Sequence, residues 1–385
     1  MDDGWENPDN AAIFPDDRSG HPYRVWDSIH AAPEILEACL SSDLIDRAAC
    51  AAEEIQKRNI KKIIYSGTGS SFCVSIYGNK SCAETTGLMS KEITSFELAK
   101  YPHPYLDEKT ALIGLSHSGN TEVLLQSIEK AKSSGAYIVG ITDVPESSLA
   151  EISDVALIGS GGRGMLIPST RSVLSEMLGV LVLNLSIAEL RSPGTWKRWD
   201  EELFKIPQYV NDAVHISDKY IPDIAYRLKD LDAFYVIGTG PNCATIADAA
   251  LKLQEISWKP GLAYQAEEAI HGPLLSVGEN AGQVLVAAEG NGYERVQRIA
   301  RGMNMLKMPV FSITYPGADI ADYSSESIMI PGNLQELISP FVYLIPLFEF
   351  AYWISVHNGH NPDRLRLEEN NRMEAYKLLS QHGTK

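Results

Sequence analysis

Three hydroxyl side chains lie within six residues of one another in the stretch Gly114-Leu115-Ser116-His117-Ser118-Gly119-Asn120-Thr121. The stretch follows an apolar strand pattern and precedes a predicted helix, so its hydroxyls stand at a helix N-terminus. Each hydroxyl can donate to an anionic oxygen, and the helix dipole favours negative charge there. A serine-hydrolase turn would need glycine two residues after Ser116, where Ser118 stands. The stretch therefore predicts a phosphate cradle.

A second hydroxyl-rich turn, Ser66-Gly67-Thr68-Gly69-Ser70-Ser71, also joins a strand pattern to a helical one. Its glycines allow a tight turn, and its hydroxyls and free amides suit a phosphate. A dinucleotide fingerprint would need glycine at position 72, where Phe72 stands. The alternative is a strand-to-helix turn without a ligand.

A third candidate is Pro168-Ser169-Thr170-Arg171-Ser172, which opens the apolar helical stretch from Val173 to Leu190. Proline, serine and threonine at a helix start are ordinary capping residues. Arg171 would still offer a positive charge to a phosphate.

Two motifs in the second half carry groups that can move protons. Lys252 and Glu255 are three residues apart in the predicted helix from Asp248 to Ser257, so they share one face. An exposed ion pair is the ordinary interpretation of such a pair. His271 lies in a His-Gly-Pro turn that positions its ring, and an imidazole exchanges protons near pH 7. A purely structural histidine is the alternative.

Neither a metal nor a cofactor is expected. The five cysteines are scattered and form no Cys-x-x-Cys pair, which fits a reducing compartment. His357 and His360 lie in a loop-like His-Asn-Gly-His segment without a convincing third ligand. The acidic N-terminus has no apolar run behind it and so no secretory signal. We therefore expect a cytoplasmic protein.

Composition and charge narrow the class of partner. The chain has 385 residues, enough for two domains, and a net charge of −17. This charge argues against binding to nucleic acid or to anionic membranes, both of which need a basic face. A small anionic substrate remains compatible, because local amides and one or two cations reverse the sign inside a pocket. The apolar stretch from Phe341 to Val356 is too short to span a bilayer and is predicted to be a buried core helix.

An internal repeat indicates how these motifs are positioned. Gly67 and Gly238 begin matching Gly-Thr-Gly turns after apolar strands and are 171 residues apart. Gly119 and Gly290 keep the same spacing, but in the second copy a carboxylate, Glu289, has replaced the hydroxyls. We infer that only the first copy keeps the anion site.

Short apolar strands that alternate with helices predict an α/β fold with parallel sheets, in two tandem doubly wound domains. Ligands in such sheets bind at the C-terminal ends of the strands, where these turns lie. We expect an N-terminal arm and helix over 1–42, a phosphate-binding domain over 43–195, a catalytic domain over 196–360, and a C-terminal tail over 361–385.

From about residue 30 to about residue 375 the chain resembles the sugar isomerase (SIS) superfamily. More closely, it resembles the isomerase half of glucosamine-6-phosphate synthase and its free-standing relatives among sugar-phosphate isomerases, deaminases and deglycases. The motifs that carry the resemblance are Leu115 to Thr121, Ser147-Ser148-Leu149, Ser169-Thr170-Arg171, Ala250 to Ser257 and His271-Gly272-Pro273.

The resemblance implies two SIS-type domains and a role for each motif. Ser70, Ser116, Ser118 and Thr121 would hold the phosphate. Taken with the motifs themselves, the expected substrate-binding set is Gly69, Ser70, Ser71, Ser116, His117, Ser118, Asn120, Thr121, Ser169 and Arg171.

For catalysis, the resemblance implies that Glu255 moves a proton between C1 and C2 of the sugar, with Lys252 beside it. His271 would open the sugar ring, commonly in a neighbouring subunit's site, which implies a homodimer or a larger oligomer with shared active sites. The synthase's Schiff-base lysine has no secure match, since Lys377 lies nearby but outside any recognisable motif. No glutaminase region is expected.

The expected activity is isomerisation, isomerising deamination or deglycation of an (amino)hexose 6-phosphate at C1 and C2. The alternatives are a plain ketose–aldose phosphate isomerase without loss of nitrogen, and a non-catalytic sugar-phosphate sensor. A sensor that regulates genes would carry a DNA-reading segment, and the negative charge disfavours one.

Overall fold

The computed structural model describes residues 18–162, 168–332 and 334–380, apart from 368 and 370. Most of the expected N-terminal arm (1–17) and parts of the expected C-terminal tail lie outside the described residues. Contacts divide the chain into two compact units. The first unit contains Glu34–Phe204 and the described residues from Arg366 onward, and the second contains Arg18–Pro33 and Lys205–Leu365.

Two parallel five-stranded sheets are present in the described chain, with strand orders β2-β1-β3-β4-β5 and β7-β6-β8-β9-β10. The strands are β1 (Lys62–Ser66), β2 (Met89–Glu92), β3 (Thr110–Leu115), β4 (Tyr137–Thr142), β5 (Val155–Ile158), β6 (Ala233–Gly238), β7 (Gly261–Gln265), β8 (Ala281–Ala287), β9 (Val310–Thr314) and β10 (Glu326–Met329). The central strands β3, β4, β8 and β9 are buried throughout, because helices cover both faces of a parallel sheet. The α/β class with parallel sheets is confirmed.

The described helices are α1 (Arg24–His30), α2 (Ala32–Leu40), α3 (Leu44–Lys57), α4 (Ser70–Thr85), α5 (Ser95–Lys100), α6 (Glu122–Ser133), α7 (Ser148–Ile152), α8 (Arg171–Arg191), α9 (Thr195–Leu228), α10 (Asn242–Ile256), α11 (Ala266–Ile270), α12 (Tyr293–Met305), α13 (Ser339–His357) and α14 (Arg372–Ser380). In the first unit, α8 packs against α3 and α4, whereas α6 packs against α5. In the second unit, α10 packs against α13.

Among the helices of the described residues, α8 and α13 are long and apolar enough to cross a membrane by length and composition alone. In each, 89% of the apolar window is buried inside the structure. The prediction of a buried core helix over Phe341 to Val356 is therefore confirmed. The expectation that this stretch is too short to span a bilayer is wrong, because α13 extends it to 19 residues. Helix α8 is a core helix of the same kind.

Candidate functional site

The two hydroxyl-rich turns lie at the same edge of the first sheet. Ser66 at the end of β1 pairs with Gly114 of β3, and Leu115 at the end of β3 pairs with Ile141 of β4. Because the strands are parallel and end in register, the turns that follow them meet at one edge. Two of these turns run directly into α4 and α6, whose first amides have no partner within their own helix.

The turn after β3 folds around the hydroxyl of Ser116. This buried Oγ accepts the N–H of Gly119 at 3.1 Å and lies 2.9 Å from Oγ1 of Thr121. Gly119 has φ +67°, and a Cβ there would lie 2.1 Å from Oγ of Ser147. Only glycine fits this position. The Ser116 hydroxyl therefore shapes the turn.

Ser118, Asn120 and Thr121 form the half-buried part of this turn. Oγ of Ser118 accepts the N–H of Asn120 at 3.3 Å. The side-chain oxygen of Asn120 accepts the N–H of Ser148, at 3.1 Å, where α7 begins. Asn120 therefore ties the turn to α7, while the hydroxyls of Ser118 and Thr121 remain partly accessible.

His117 is held by a buried carboxylate, Asp143, that the sequence motifs do not indicate. Its Nδ1 lies 2.7 Å from Oδ2 of Asp143, whose side chain is 1% exposed. The other oxygen of Asp143 accepts from Oγ of Ser175 at 2.6 Å and from the N–H of Gly161 at 3.1 Å. An ionised carboxylate can only accept hydrogen bonds, so the proton between Asp143 and His117 belongs to Nδ1 of His117. This leaves Nε2 of His117 for a ligand. The signal available in the sequence was an acidic residue directly after β4.

The turn after β1 is tightly folded at the start of α4. A Cβ on Gly67 would lie 2.6 Å from backbone atoms of Ser71, and Gly69 has φ +60°. The hydroxyl of Ser71 donates to Oε1 of Glu176 at 3.0 Å, and both side chains are buried. Ser71 is therefore engaged inside the unit, whereas Ser70 is half-buried at the first position of α4.

The first turns of α8 approach the same edge. Ser175 and Glu176 of α8 contact, respectively, Asp143 after β4 and the start of α4. Arg171 is the first residue of α8 and lies one turn before Ser175, so the two share a helix face. Ser169 and Arg171 are half-buried. The structure thus brings the three predicted turns of the first unit to one edge.

In the second unit, one of the chain's own carboxylates lies against the corresponding turns. A Cβ on Gly240 would lie 2.8 Å from Oε1 of Glu336, and a Cβ on Gly290 would lie 2.3 Å from Oε2. Both glycines have positive φ, of +56° and +156°. The sequence pattern places Glu289 in the second of these turns, but it gives no sign of Glu336, which lies far along the chain before α13.

Lys252 is a buried cation between two carboxylates of α10. Its Nζ lies 2.6 Å from Oε2 of Glu255 and 3.7 Å from Oδ1 of Asp248. The side chains of Lys252 and Asp248 are 1% exposed, while that of Glu255 is 30% exposed. The interpretation as an exposed ion pair is therefore wrong. Glu255 is the member of this cluster that solvent or a substrate can reach.

His271 is exposed just after α11. Its Nε2 lies 3.3 Å from Oε1 of Glu267, whose other oxygen lies 2.6 Å from Nε of Arg295. Desolvation pushes the pKa of Glu267 upward, but the interactions with the guanidinium of Arg295 and with His271 outweigh it and lower that pKa. Glu267 is thus an anion that orients the imidazole of His271.

The expectation of a loop around His357 is wrong, because His357 is the last residue of α13. Its Nε2 donates to the carbonyl oxygen of Pro222 at 2.9 Å. The ring of His360 stacks on Trp258 with 4.1 Å between centroids. Each of these histidines therefore has a packing role. The side chain of Lys377 lies outside the described residues.

Comparison with known proteins confirms the resemblance that the motifs indicated. The family model described as "SIS domain" matches residues 57–185. The chain is 26% identical over 361 residues to "Glutamine--fructose-6-phosphate aminotransferase [isomerizing]" of Thermococcus kodakarensis, covering 91% of this chain and 58% of that protein. This chain thus spans about 58% of the length of that curated relative.

Solved structures show the same fold. The "C-terminal domain of glucosamine-fructose-6-phosphate aminotransferase" from Francisella tularensis superposes with a TM-score of 0.81 at 22% identity, covering 90% of this chain and 99% of that one. A structure named glucosamine-6-phosphate deaminase from Thermotoga maritima gives 0.70 at 20% identity, covering 89% and 97%.

Proposed function

We propose that this chain, in which residues 57–185 form a SIS domain, is a sugar-phosphate isomerase or an isomerising deaminase or deglycase. Its substrate would be an (amino)hexose 6-phosphate and the reaction would take place at C1 and C2. The observation that carries the proposal is the meeting of hydroxyls and two helix N-termini at one edge of the first sheet, with the start of α8, whose first residue is Arg171, held against the same edge by Ser175 and Glu176.

The phosphate would bind at this edge. Amides at the starts of α4 and α6 can donate to its oxygens, and so can the hydroxyls of Ser70, Ser118 and Thr121. Arg171 would neutralise part of its charge, and His117, oriented by Asp143, would offer Nε2. A phosphate bound away from the reacting carbons provides binding energy that positions them.

Glu255 would transfer the proton. A carboxylate that is 30% exposed and hydrogen-bonded to Lys252 can take a proton from C2 and return it to C1, or the reverse, through an enediol or enolamine. Lys252 would hold that carboxylate in place, and His271 would assist ring opening. An amine on C2 would leave by hydrolysis of the resulting imine (deamination), and an amine on C1 would leave by deglycation.

We also propose that the chain carries two SIS-type domains, the first over 43–195 and the second over 196–360. The equivalent strand orders of the two sheets and the shared glycine turns support this. A homodimer with shared active sites would place an exposed His271 where a partner's substrate can meet it. A cytoplasmic location accords with the burial of α8 and α13.

The test is turnover of fructosamine-, glucosamine- and galactosamine-type 6-phosphates, with the matching aldose and ketose phosphates, by mass-resolved product analysis. Glu255→Gln should abolish turnover while leaving phosphate-ester binding intact. Glu279→Gln, at an exposed carboxylate of the second unit, is the matched control and should keep full activity.

Release of ammonia or of an amino acid would establish deamination or deglycation, whereas ketose–aldose conversion alone would establish plain isomerisation. Tight binding without turnover of any substrate would contradict the enzymatic proposal and favour a sensor. Full activity in Glu255→Gln would contradict the proton-transfer assignment.

A further inference from the structure

Three side chains from separate helices of the second unit lie close together in the structure. None of them belongs to the proposed catalytic residues. They are His30 of α1, Asp218 of α9 and Glu349 of α13, and one potential ligand atom from each lies within 4.8 Å of the others. Nε2 of His30 is 3.0 Å and 3.2 Å from the two oxygens of Asp218. The cluster is thus one imidazole and two carboxylates.

Glu349 is the member that requires a neutralising partner. Its side chain is fully buried in the apolar helix α13, and among the described residues neither carboxylate oxygen finds a hydrogen-bond donor. Burial raises the pKa of Glu349 well above its usual range, and the negative charge of Asp218 raises it further. A buried carboxylate without a donor is destabilising unless a proton or a cation neutralises it.

His30 is held as a metal-ligating histidine usually is. Its Nδ1 lies 2.9 Å from the carbonyl oxygen of Trp26. A carbonyl only accepts, so Nδ1 carries a proton and donates it. This fixes the ring and leaves Nε2 facing Asp218, in the arrangement by which a backbone carbonyl typically orients a metal ligand.

The surroundings of the cluster are apolar on one side and open on the other. The indole of Trp26 lies 4.0 Å from the ring of His30, and Trp26 in turn packs edge-on against Trp353. Toward solvent, the side chains of His30 and Asp218 are 28% and 36% exposed. An ion would therefore enter past His30 and Asp218 and reach Glu349 as the innermost ligand.

We propose that His30, Asp218 and Glu349 bind a divalent first-row transition-metal ion, for which Zn²⁺ is the probe. Zn–N and Zn–O bonds of about 2.1 Å place neighbouring ligand atoms about 3.0–3.4 Å apart. The His30–Asp218 spacing already matches this, and a small movement of the Glu349 side chain would complete the set. The imidazole favours a transition metal, whereas Mg²⁺ and Ca²⁺ prefer oxygen ligands alone.

Such an ion would tie α1 and α9 to the core helix α13. Its ligands include none of the proposed phosphate-binding or proton-transfer residues. Loss of the metal can therefore be distinguished from loss of turnover, and the test measures metal affinity rather than enzymatic activity.

The experiment uses the full chain stripped with a chelator. Zn²⁺ is titrated in competition with a chromogenic chelator, and Co²⁺ absorption reports the ligand type. We expect one high-affinity Zn²⁺ per chain and Co²⁺ bands typical of nitrogen and oxygen ligands. Glu349→Gln and His30→Ala should each weaken Zn²⁺ binding by about 100-fold or more. A direct ligand should cost at least as much affinity as a residue that only hydrogen-bonds to a ligand, whose loss costs about 10–100-fold.

The matched control is His103→Ala, because His103 binds Tyr105 and a backbone carbonyl in the first unit. It should bind Zn²⁺ like the wild type, and both should show a raised thermal-unfolding midpoint with Zn²⁺. If circular dichroism shows that the Glu349→Gln protein is unfolded, Asp218→Asn is used in its place. Equal affinity in the wild type and the ligand variants, a thiolate charge-transfer band with Co²⁺, or no binding at all would overturn the proposal. In those cases a proton neutralises Glu349.

Discussion

Lys252→Met gives the sharpest test of how the proton-transfer residues are held. Methionine has a similar length but no charge, so the variant removes the ammonium from between Glu255 and Asp248. Lys252 and Asp248 are 1% exposed, so water cannot replace that ammonium without rearrangement. We expect the variant to lose stability as well as activity.

The size of the loss follows from burial. Removing one partner from a buried ion pair costs about 3–5 kcal/mol. We take the lower end, about 3 kcal/mol, because Glu255 is 30% exposed and can turn to solvent. If the free energy of unfolding falls by about 2 kcal/mol per molar urea, a loss of about 3 kcal/mol lowers the urea concentration at the unfolding midpoint by about 1.5 M.

Glu255→Gln is the comparison that separates stability from chemistry. It leaves Lys252 beside Asp248 and keeps a side chain of the same size, so we expect a loss of about 1 kcal/mol. Its midpoint should fall by about 0.5 M, while turnover should disappear.

The assay is urea unfolding of the full chain, followed by fluorescence and by circular dichroism, beside turnover measurements without urea. A midpoint for Lys252→Met within about 0.3 M of the wild type would refute the argument from burial. A Lys252→Met protein that is folded and fully active would also refute the positioning role of Lys252.

Three further predictions concern other parts of the chain. Gly119→Ala should lower stability by about 1–3 kcal/mol and weaken inorganic phosphate binding, because its Cβ would meet Ser147 in a left-handed backbone; urea unfolding and calorimetry measure both. Glu336→Ala should raise the number of phosphate ions bound per chain from one to two in calorimetry, since the carboxylate beside Gly240 and Gly290 is gone; an unchanged stoichiometry would contradict this. Burial raises the pKa of the Asp363 carboxyl, although hydrogen bonds from two backbone N–H groups lower it in part. Between the unfolded and the folded pKa the unfolded state binds fewer protons than the folded state, so the free energy of unfolding falls as pH rises. Asp363→Asn should remove this contribution to the pH dependence of stability just above pH 4.

The fold followed closely from the sequence, because strands and helices in parallel sheets have strong local signatures. The helical stretch predicted from Val173 to Leu190 lies within α8, and β1 ends at Ser66, directly before the glycine turn that begins at Gly67. The apolar period and the glycine turns fix these elements within a short window of sequence. Elements of this kind need no knowledge of distant contacts.

The site followed less completely, because its supporting residues come from far along the chain. Asp143 orients His117 across 26 residues, and Glu336 reaches turns about 50 and 100 residues earlier. The burial of Lys252 depends on how α10 packs against α13, which the Lys–Glu spacing does not encode. The three ligands of the proposed metal site are separated by more than 100 residues each and have no local motif.

The carboxylate of Glu336 has a consequence for stoichiometry and for the design of inhibitors. If the turns of the second unit keep the geometry of an anion site, the covalently attached carboxylate of Glu336 fills it at a high effective concentration, and free phosphate esters compete poorly for that place. A compound that carries a phosphate mimic should thus occupy one position per polypeptide, although the two sheets have equivalent strand orders. Conversely, a short peptide ending in glutamate would be the natural template for a ligand directed at the other half once Glu336 has been removed.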